Sequence, residues 1–320
     1  MSNGPLRLLA GAGAGDDPVY VDDVFSTFLY AGNNSGQSIV NGIDLSGEGG
    51  LVWLAGMSNA VDQQIYDTVR GVRKPIYSNR TNSEGAPASG YALTTFNNNG
   101  FTLGTNWNTE NFNPYTYCSW TFRKAEKFFD IVTYTGDGST SKTISHNLGS
   151  TPGMIIVKCT SSSYRWNVWH RDLTNATTNT NPSNAYIVKL NTTDAQELTS
   201  SGGIADVNGS TFDVGGVFAN NTGETFVAYL FGHNEAEYGT GSDEAIIKCG
   251  SFTGNGNDNG PEIDLGFEPQ FYLFKKIGGT GSWFIYDSMR GLTAEGSSNQ
   301  YINANYRSEE RRVGKSVDLG

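Results

Sequence analysis

The chain has 320 residues, a net charge of −11 and only 17% charged residues. An acidic chain poor in Lys and Arg is a weak nucleic-acid ligand, because backbone phosphates must be met by cations, and it offers nothing to an anionic membrane surface. No apolar stretch approaches the ~20 residues of a membrane-spanning helix.

The element signals are those of strands. Glycine is abundant at 41 residues, alongside Asn, Ser, Thr and many aromatics. That mixture suits short strands joined by tight turns. The i, i+3, i+4, i+7 apolar spacing of a helix is nearly absent, and Gly or Asn interrupts each candidate.

In chain order, residues 1–22 read as a flexible arm. Pro5-Leu6-Arg7-Leu8-Leu9-Ala10 is weakly signal-like but dissolves into Gly11-Ala12-Gly13-Ala14-Gly15. Residues 23–127 form a first unit, with strands predicted at 51–54, 64–66, 91–96, 101–103 and 115–122. Residues 128–243 form a second unit plus a polar linker over 232–243, with strands predicted at 129–134, 154–158, 166–170, 185–190, 211–214 and 225–231. Residues 244–306 begin a third unit.

The units repeat one another. Phe28-Leu29-Tyr30-Ala31-Gly32-Asn33 is echoed by Val132-Thr133-Tyr134-Thr135-Gly136-Asp137 and by Cys249-Gly250-Ser251-Phe252-Thr253-Gly254-Asn255. Leu51-Val52-Trp53-Leu54 is echoed by Met154-Ile155-Ile156-Val157 and Phe271-Tyr272-Leu273-Phe274. Ile65-Tyr66-Asp67 is echoed by Val168-Trp169-His170 and Ile285-Tyr286-Asp287. A repeat of roughly 100–120 residues is one globular domain per copy. The expected fold class is all-β: tandem antiparallel β-sandwich domains of jelly-roll or concanavalin-like kind.

Residues 307–320 read differently. Arg307-Ser308-Glu309-Glu310-Arg311-Arg312-Val313-Gly314-Lys315 resembles the translation of a short-read sequencing adapter, and Ser316-Val317-Asp318-Leu319-Gly320 continues it in a shifted frame. The expectation is an artefactual tail outside the fold, a metagenomic source, and a third unit cut short with exposed strand edges.

Candidate chemistry is sparse. His170 follows an aromatic at a predicted strand end, a place for a general base. Its counterparts are Asp67 and Asp287, and such a swap suits a solvent-exposed strand end. His146 and His233 have no counterpart His. Asp67 with Arg70, and Asp287 with Arg290, have the spacing of a local ion pair or turn clamp, varied in the second unit as His170-Arg171-Asp172. No Gly-x-Ser-x-Gly, HExxH or phosphate loop followed by Lys is present. Cys118, Cys159 and Cys249 are odd in number and lack CxxC spacing, which argues against zinc or a disulfide framework and for buried thiols. No cofactor is expected. Asn255-Gly256-Asn257-Asp258-Asn259-Gly260 with Glu262 and Asp264 is oxygen-rich, but a turn is the simpler reading than a calcium loop. Among the aromatics, Trp107, Tyr164 and Trp166 stand in or near polar loops. They are the candidates for stacking on a sugar ring.

Phrases spread over residues 20–306 resemble a known family. They are Val21-Asp22-Asp23-Val24-Phe25-Ser26-Thr27-Phe28-Leu29-Tyr30, Asp67-Thr68-Val69-Arg70-Gly71-Val72, Trp120-Thr121-Phe122-Arg123-Lys124-Ala125, His146-Asn147-Leu148-Gly149-Ser150-Thr151-Pro152-Gly153-Met154-Ile155-Ile156-Val157-Lys158, Leu190-Asn191-Thr192-Thr193-Asp194 and Phe226-Val227-Ala228-Tyr229-Leu230-Phe231. The resemblance is to uncharacterised β-rich repeats in virion structural and tail-associated proteins of marine tailed bacteriophages. It implies a non-enzymatic virion component, a tail fibre or other surface part, with no catalytic residues to carry over. The expected partners are other virion proteins, host surface glycans and further copies of the chain, without nucleic acid or membrane insertion. A glycan-binding module or glycan-active enzyme on the same scaffold, and a bacterial surface adhesin, are the alternatives.

Overall fold

The computed structural model describes residues 18–105, 110–257, 260–291 and 300–307, with the backbone of 311–312. A short helical turn, Val21–Val24, leads into strands throughout. They are β1 (Phe25–Ala31), β2 (Gln37–Val40), β3 (Gly50–Gly56), β4 (Gln64–Asp67), β5 (Ile76–Tyr77), β6 (Leu93–Asn97), β7 (Gly100–Leu103), β8 (Thr116–Arg123), β9 (Phe129–Thr135), β10 (Lys142–Ser145) and β11 (Met154–Cys159). They continue as β12 (Asn167–His170), β13 (Ala185–Ile187), β14 (Glu197–Thr199), β15 (Ile204–Ala205), β16 (Thr211–Val214), β17 (Thr225–Phe231), β18 (Phe271–Lys275), β19 (Trp283–Asp287), β20 (Gln300–Asn303) and β21 (Arg311–Arg312). The protein is an all-β sandwich fold with antiparallel sheets. Among the described residues no helix is long and apolar enough to cross a membrane.

The first two units share one topology. In the first, a large sheet of order β1-β8-β3-β4-β5 faces a small sheet β2-β7-β6. In the second, the large sheet is β9-β17-β11-β12 and the small one β10-β16-β15, with the hairpin β13–β14 added. Position for position, β1 is β9, β8 is β17, β3 is β11 and β4 is β12. The third unit carries the same centre, with β18 beside β19, then β20 and β21. One pairing marks all three: Ile65 opposite Ile76, Val168 opposite Val188, Ile285 opposite Ile302.

The turn after the opening strand shows why glycine recurs there. A Cβ on Gly32 would lie 2.4 Å from the Phe112 carbonyl oxygen, and one on Gly136 would lie 2.1 Å from that of Asn221. No side chain fits, so the strand ends in glycine. The next residue closes the turn in each copy. Asn33 accepts from the Ser35 N–H at 2.8 Å, Asp137 from Ser139 at 2.9 Å, and Asn255 from Asn257 at 2.9 Å.

The packing explains the long apolar strands. Strand neighbours point to opposite faces, yet every residue of β3 is buried. Val52, Leu54, Tyr66 and Tyr117 face Ile39, Phe101 and Leu103 of the small sheet. Leu51, Trp53, Ile65, Trp120 and Phe122 face the other way, into one core shared with Ile156, Val168 and Tyr229 of the second unit and Ile285 and Ile302 of the third. A sheet covered on both sides has no polar face, and its strands read as continuous apolar runs.

The polar stretch over 232–243 is fastened rather than loose. Tyr238 is buried, with its hydroxyl directed at the Glu126 carbonyl; Gly239 N–H donates to Val19 O at 3.0 Å, and Tyr20 and Thr240 join their hydroxyls at 2.9 Å. The end of the arm is thereby tied to the boundary between units. Two features of the expected tail also have positions here. Arg307 donates to Asp62 at 3.1 Å, and β21 pairs with β20.

Candidate functional site

The side chains that recur from unit to unit meet where the units meet. The first set follows from the edge pairing just described. Two residues before Ile65, Val168 and Ile285 stand Gln63, Trp166 and Trp283. Their N–H groups donate to Asn79, Asn191 and Asn305 at 3.2, 3.1 and 2.8 Å. Each of these asparagines lies three residues after Ile76, Val188 or Ile302, so one local clamp occurs three times.

Their side chains then reach the neighbouring unit. Trp166 Nε1 donates to Tyr77 O at 2.9 Å, from the second unit to the first. Trp283 Nε1 donates to Lys189 O at 2.8 Å, from the third to the second. Gln63 Nε2 donates to Asn303 O at 2.6 Å, from the first to the third. The acceptor in each case directly follows the marker residue. Equivalent head-to-tail contacts that return to their start make a ring, and these close after three units.

A second set fills the interior. In the first unit Asp67 accepts from Arg70 N at 2.8 Å and from Arg70 Nε at 2.5 Å, while Arg70 Nη2 donates to Ile65 O at 3.2 Å. In the third, Asp287 and Arg290 repeat this at 2.9 and 2.7 Å, with Arg290 Nη2 on Ile285 O at 3.2 Å. Both carboxylates are 0% exposed. The reading of these positions as solvent-exposed strand ends is therefore corrected: they are buried joints. A buried carboxylate needs a paired cation and hydrogen bonds, and the closing strands supply more of them. Tyr229 of β17 donates to Asp67 at 2.7 Å, and Trp120 of β8 donates to Asp287 at 2.9 Å. Burial alone would lower the Arg70 pKa; Asp67, Tyr229 and Glu84 outweigh it and hold the guanidinium above its ordinary value.

The second unit puts His170 in the matching place. Its Nδ1 accepts from Asp172 N at 3.1 Å, and burial pushes its pKa below 6.5. Lysines add a third set: Lys158 Nζ donates to Thr81 O at 3.1 Å and Lys275 Nζ to Thr193 O at 3.2 Å. Burial lowers the Lys158 pKa to about 8.

The sugar-stacking candidates do not converge. Trp107 lies outside the described residues. Trp166 is 0% exposed, its indole held by Tyr77 O and Arg80 O, so it presents no face to a ligand. Tyr164 is half-buried, edge-on to Phe218 at 5.6 Å, with its hydroxyl accepting from Asn221 at 3.1 Å. Trp166 stands among polar residues in the sequence, and nothing local signals that unit 1 encloses it. What could have signalled it is its equivalence with Trp283 and Gln63 in the repeat.

Two surface depressions among the described residues bear on this. One, roughly 330 Å³, is lined by Asn175, Thr178, Asn179, Asn184, Tyr186 and Leu198. It is built by the segment between His170 and Val188 and by the β13–β14 hairpin, where Tyr186 sits opposite Leu198. Leu198 is 51% exposed. Amides beside a tyrosine ring suit hydroxyl-rich ligands. The other, roughly 260 Å³, is lined by Glu48, Lys124, Glu126, Asp130 and Asn147 among others. There Lys124 pairs with Asp130 at 2.9 Å and Asn147 N donates to the same carboxylate at 2.8 Å.

The remaining candidates have local roles. Cys118 and Cys159 are buried thiols, and burial pushes the Cys249 thiol up to about 12, which disfavours the reactive thiolate. Asn255 of the oxygen-rich loop serves the repeated turn, and Asp258 and Asn259 lie outside the described residues. Among the described residues no three His, Cys, Asp or Glu side chains are placed to share a metal ion.

No curated protein and no solved structure matches the chain. A family model described as a domain of unknown function (DUF7483) matches residues 21–320, and the chain belongs to the DUF7483 family.

Proposed function

We propose that this chain is a non-enzymatic virion structural protein, a tail fibre or other surface component, that holds host glycans through several weak contacts. The observation that carries the reading is the use of the recurring polar residues. Asp67, Arg70, Asp287 and Arg290 are buried and bonded to one another or to the closing strands. In that state they bind units together and are closed to a substrate. A ring of units sharing one core is suited to a part that must keep its shape. The phage-like phrases in the sequence point the same way.

Host contact falls to the surface, and the groove at Asn175, Asn184 and Tyr186, where amides meet a tyrosine ring, is the place this reading assigns to it. A shallow polar groove binds a sugar weakly; repetition through homo-oligomers and across a virion multiplies weak binding by effective concentration. Other virion proteins are the expected fixed partners.

The test is a glycan array and a host-cell binding assay with the purified chain and the double variant Asn184→Ala, Tyr186→Ala. The expected result is retention on a subset of glycans, reduced about tenfold or more by the variant, in line with loss of a hydrogen bond and a stacking contact. Turnover of a glycan that is abolished by Glu126→Gln would overturn the non-enzymatic reading. Absence of binding to any glycan or cell would remove the groove's assignment.

A further inference from the structure

The second unit carries an insertion that the first lacks. Between the equivalent positions Asp67 and Ile76 the chain takes eight residues, 68–75; between His170 and Val188 it takes seventeen, 171–187. In repeated folds, residues added to one copy lie in surface loops and often serve binding. Here they build the groove of roughly 330 Å³ at Asn175, Asn184 and Tyr186, with Leu198 of β14 opposite Tyr186.

The insertion is held in shape by its own bonds. The Asn179 side chain is engaged at both ends: its Oδ1 accepts from Asn181 N at 2.9 Å, and its Nδ2 donates to Asn181 O and Asn184 O at 3.1 and 3.0 Å. The Asn179 carbonyl accepts from Asp206 N at 2.9 Å, and Asn181 caps the next turn by accepting from Ser183 N at 3.0 Å. This frame carries groups that bond to nothing in the protein. Among the described residues the side-chain amides of Asn175 and Asn184 and the hydroxyl of Tyr186 make no hydrogen bond. By contrast Tyr229 and Tyr238, which serve the joints, bond their hydroxyls within the chain. Leu198 is 51% exposed, so two open amides, a phenol and an aliphatic side chain share one depression. A fixed frame with unbonded groups is a preorganised site.

On the reading of this groove as the host-glycan contact, we propose that its ligand class is the N-acetylated amino sugar, a 2-acetamido hexose. An acetamido group sets an N–H, a C=O and a methyl in one plane. In the trans amide the N–H and C=O point in opposite directions, so two separate partners meet them, one accepting and one donating. Asn175 and Asn184 are two such partners. The methyl then covers Leu198, and the sugar ring lies on Tyr186. A plain hexose sets a hydroxyl where the methyl would lie and leaves Leu198 facing water. An anionic sugar is disfavoured: the lining residues include no Lys or Arg, the charged residue bonded to the Asn179 backbone is Asp206, and the chain carries a net charge of −11.

The experiment titrates the full chain with β-1,4-linked N-acetylglucosamine trimer and with cellotriose, which has hydroxyls in place of the acetamido groups, and follows binding by calorimetry. The expected result is binding of the trimer about tenfold tighter than cellotriose, the scale of a hydrogen bond and a covered methyl together. Leu198→Ser should weaken the trimer severalfold and leave cellotriose unchanged; Leu198 is exposed, so the variant keeps the fold, and an unchanged melting temperature checks this. The same acetamido chemistry occurs in cell-wall glycan strands and in outer surface polysaccharides. Purified peptidoglycan and an acetamido-containing lipopolysaccharide, each used to displace the trimer, tell the two sources apart, and displacement by either supports the class. Equal binding of trimer and cellotriose, a trimer affinity untouched by Leu198→Ser, or tighter binding of a uronic-acid oligomer would overturn the acetamido assignment while leaving the groove a glycan site. Binding of no sugar at all would remove both.

Discussion

Strands β3 and β18 hold the same place in their units and differ in what surrounds them. β3 has a strand on each side, a small sheet over one face and the shared core under the other, and all seven of its residues are buried. Among the described residues β18 has one neighbouring strand, β19, and the core beneath it. Its outer aromatics, Tyr272 and Phe274, stack with Phe284 and Tyr286, yet stay half-exposed. Leu-Val-Trp-Leu and Phe-Tyr-Leu-Phe are equally apolar. Burial of a strand is therefore set by the neighbours the chain brings to it, and the strand's own composition only permits it.

The sharpest way to break this comparison is at the joints. Arg70→Ala leaves Asp67 buried with only Tyr229 and the Arg70 backbone N–H to hold it. Removing one partner of a buried pair costs about 3–5 kcal/mol. Chemical denaturation should show that loss for Arg70→Ala as a fall in the main transition, since β4 lies inside the first unit's sheet and touches the second unit through Tyr229. Arg290→Ala breaks the same geometry in the third unit, where it should detach β18–β20 and leave the main transition in place. Equal falls in one common transition would show the three units to unfold as a single body.

Much of this was legible in the sequence, and the rest has identifiable reasons. The strands followed from alternation and from Gly-Asn turns, and the repeated phrases located equivalent positions. Asp67 with Arg70, three residues apart, was legible as a clamp because both partners are local. Trp120 and Asp287 were not, because they lie 167 residues apart and meet only through the way two sheets pack. Trp166 stands between Arg165 and Asn167, a polar setting for a group that ends in the core. Asp67 and Asp287 looked like exposed strand ends because Asp, His and Asp alternate across the units; Tyr229 and Trp120, far off in sequence, cover the two carboxylates, while His170 bonds locally to Asp172 N. The segment 249–255 echoes β1 and β9 in sequence yet is in no sheet, and among the described residues no strand like β8 or β17 lies beside it.

A smaller effect sharpens the same contrast without a mutation. Amides whose bonds are held on both sides of a strand open only with the fold, while an edge opens locally. Native-state hydrogen exchange should place β18 and β20 at least about 2 kcal/mol below β3 and β11 in opening free energy, a gap within the range spanned by local and global opening. Limited proteolysis should cut first within the third unit. Exchange of β18 as slow as β11 would mean that its outer edge is covered and that the difference in burial has no energetic consequence.

The smallest effect is expected from acid, and it isolates the boundary between the second and third units. His170 and His233 both stand there: burial lowers both pKa values from 6.5, His233 adds to the lowering of His170, and Asp172 opposes the lowering at both. Arg171 acts on both and Lys248 on His233, and His233 Nδ1 accepts from Cys249 N at 3.1 Å. A histidine held neutral in the fold binds fewer protons there than in the unfolded chain. Its contribution is complete above pH 6.5 and is lost as pH falls through the lower, folded values. The third unit should therefore loosen first between pH 6.5 and the mildly acidic range, seen as faster exchange in β18–β20 and a melting temperature lower by a few degrees. His146, buried against Phe212 and also shifted down, loads the small sheet of the second unit in the same window. The double variant His170→Gln, His233→Gln separates the two: it should abolish the acid response of the third unit and leave that of the second unit's β10–β16 pair unchanged.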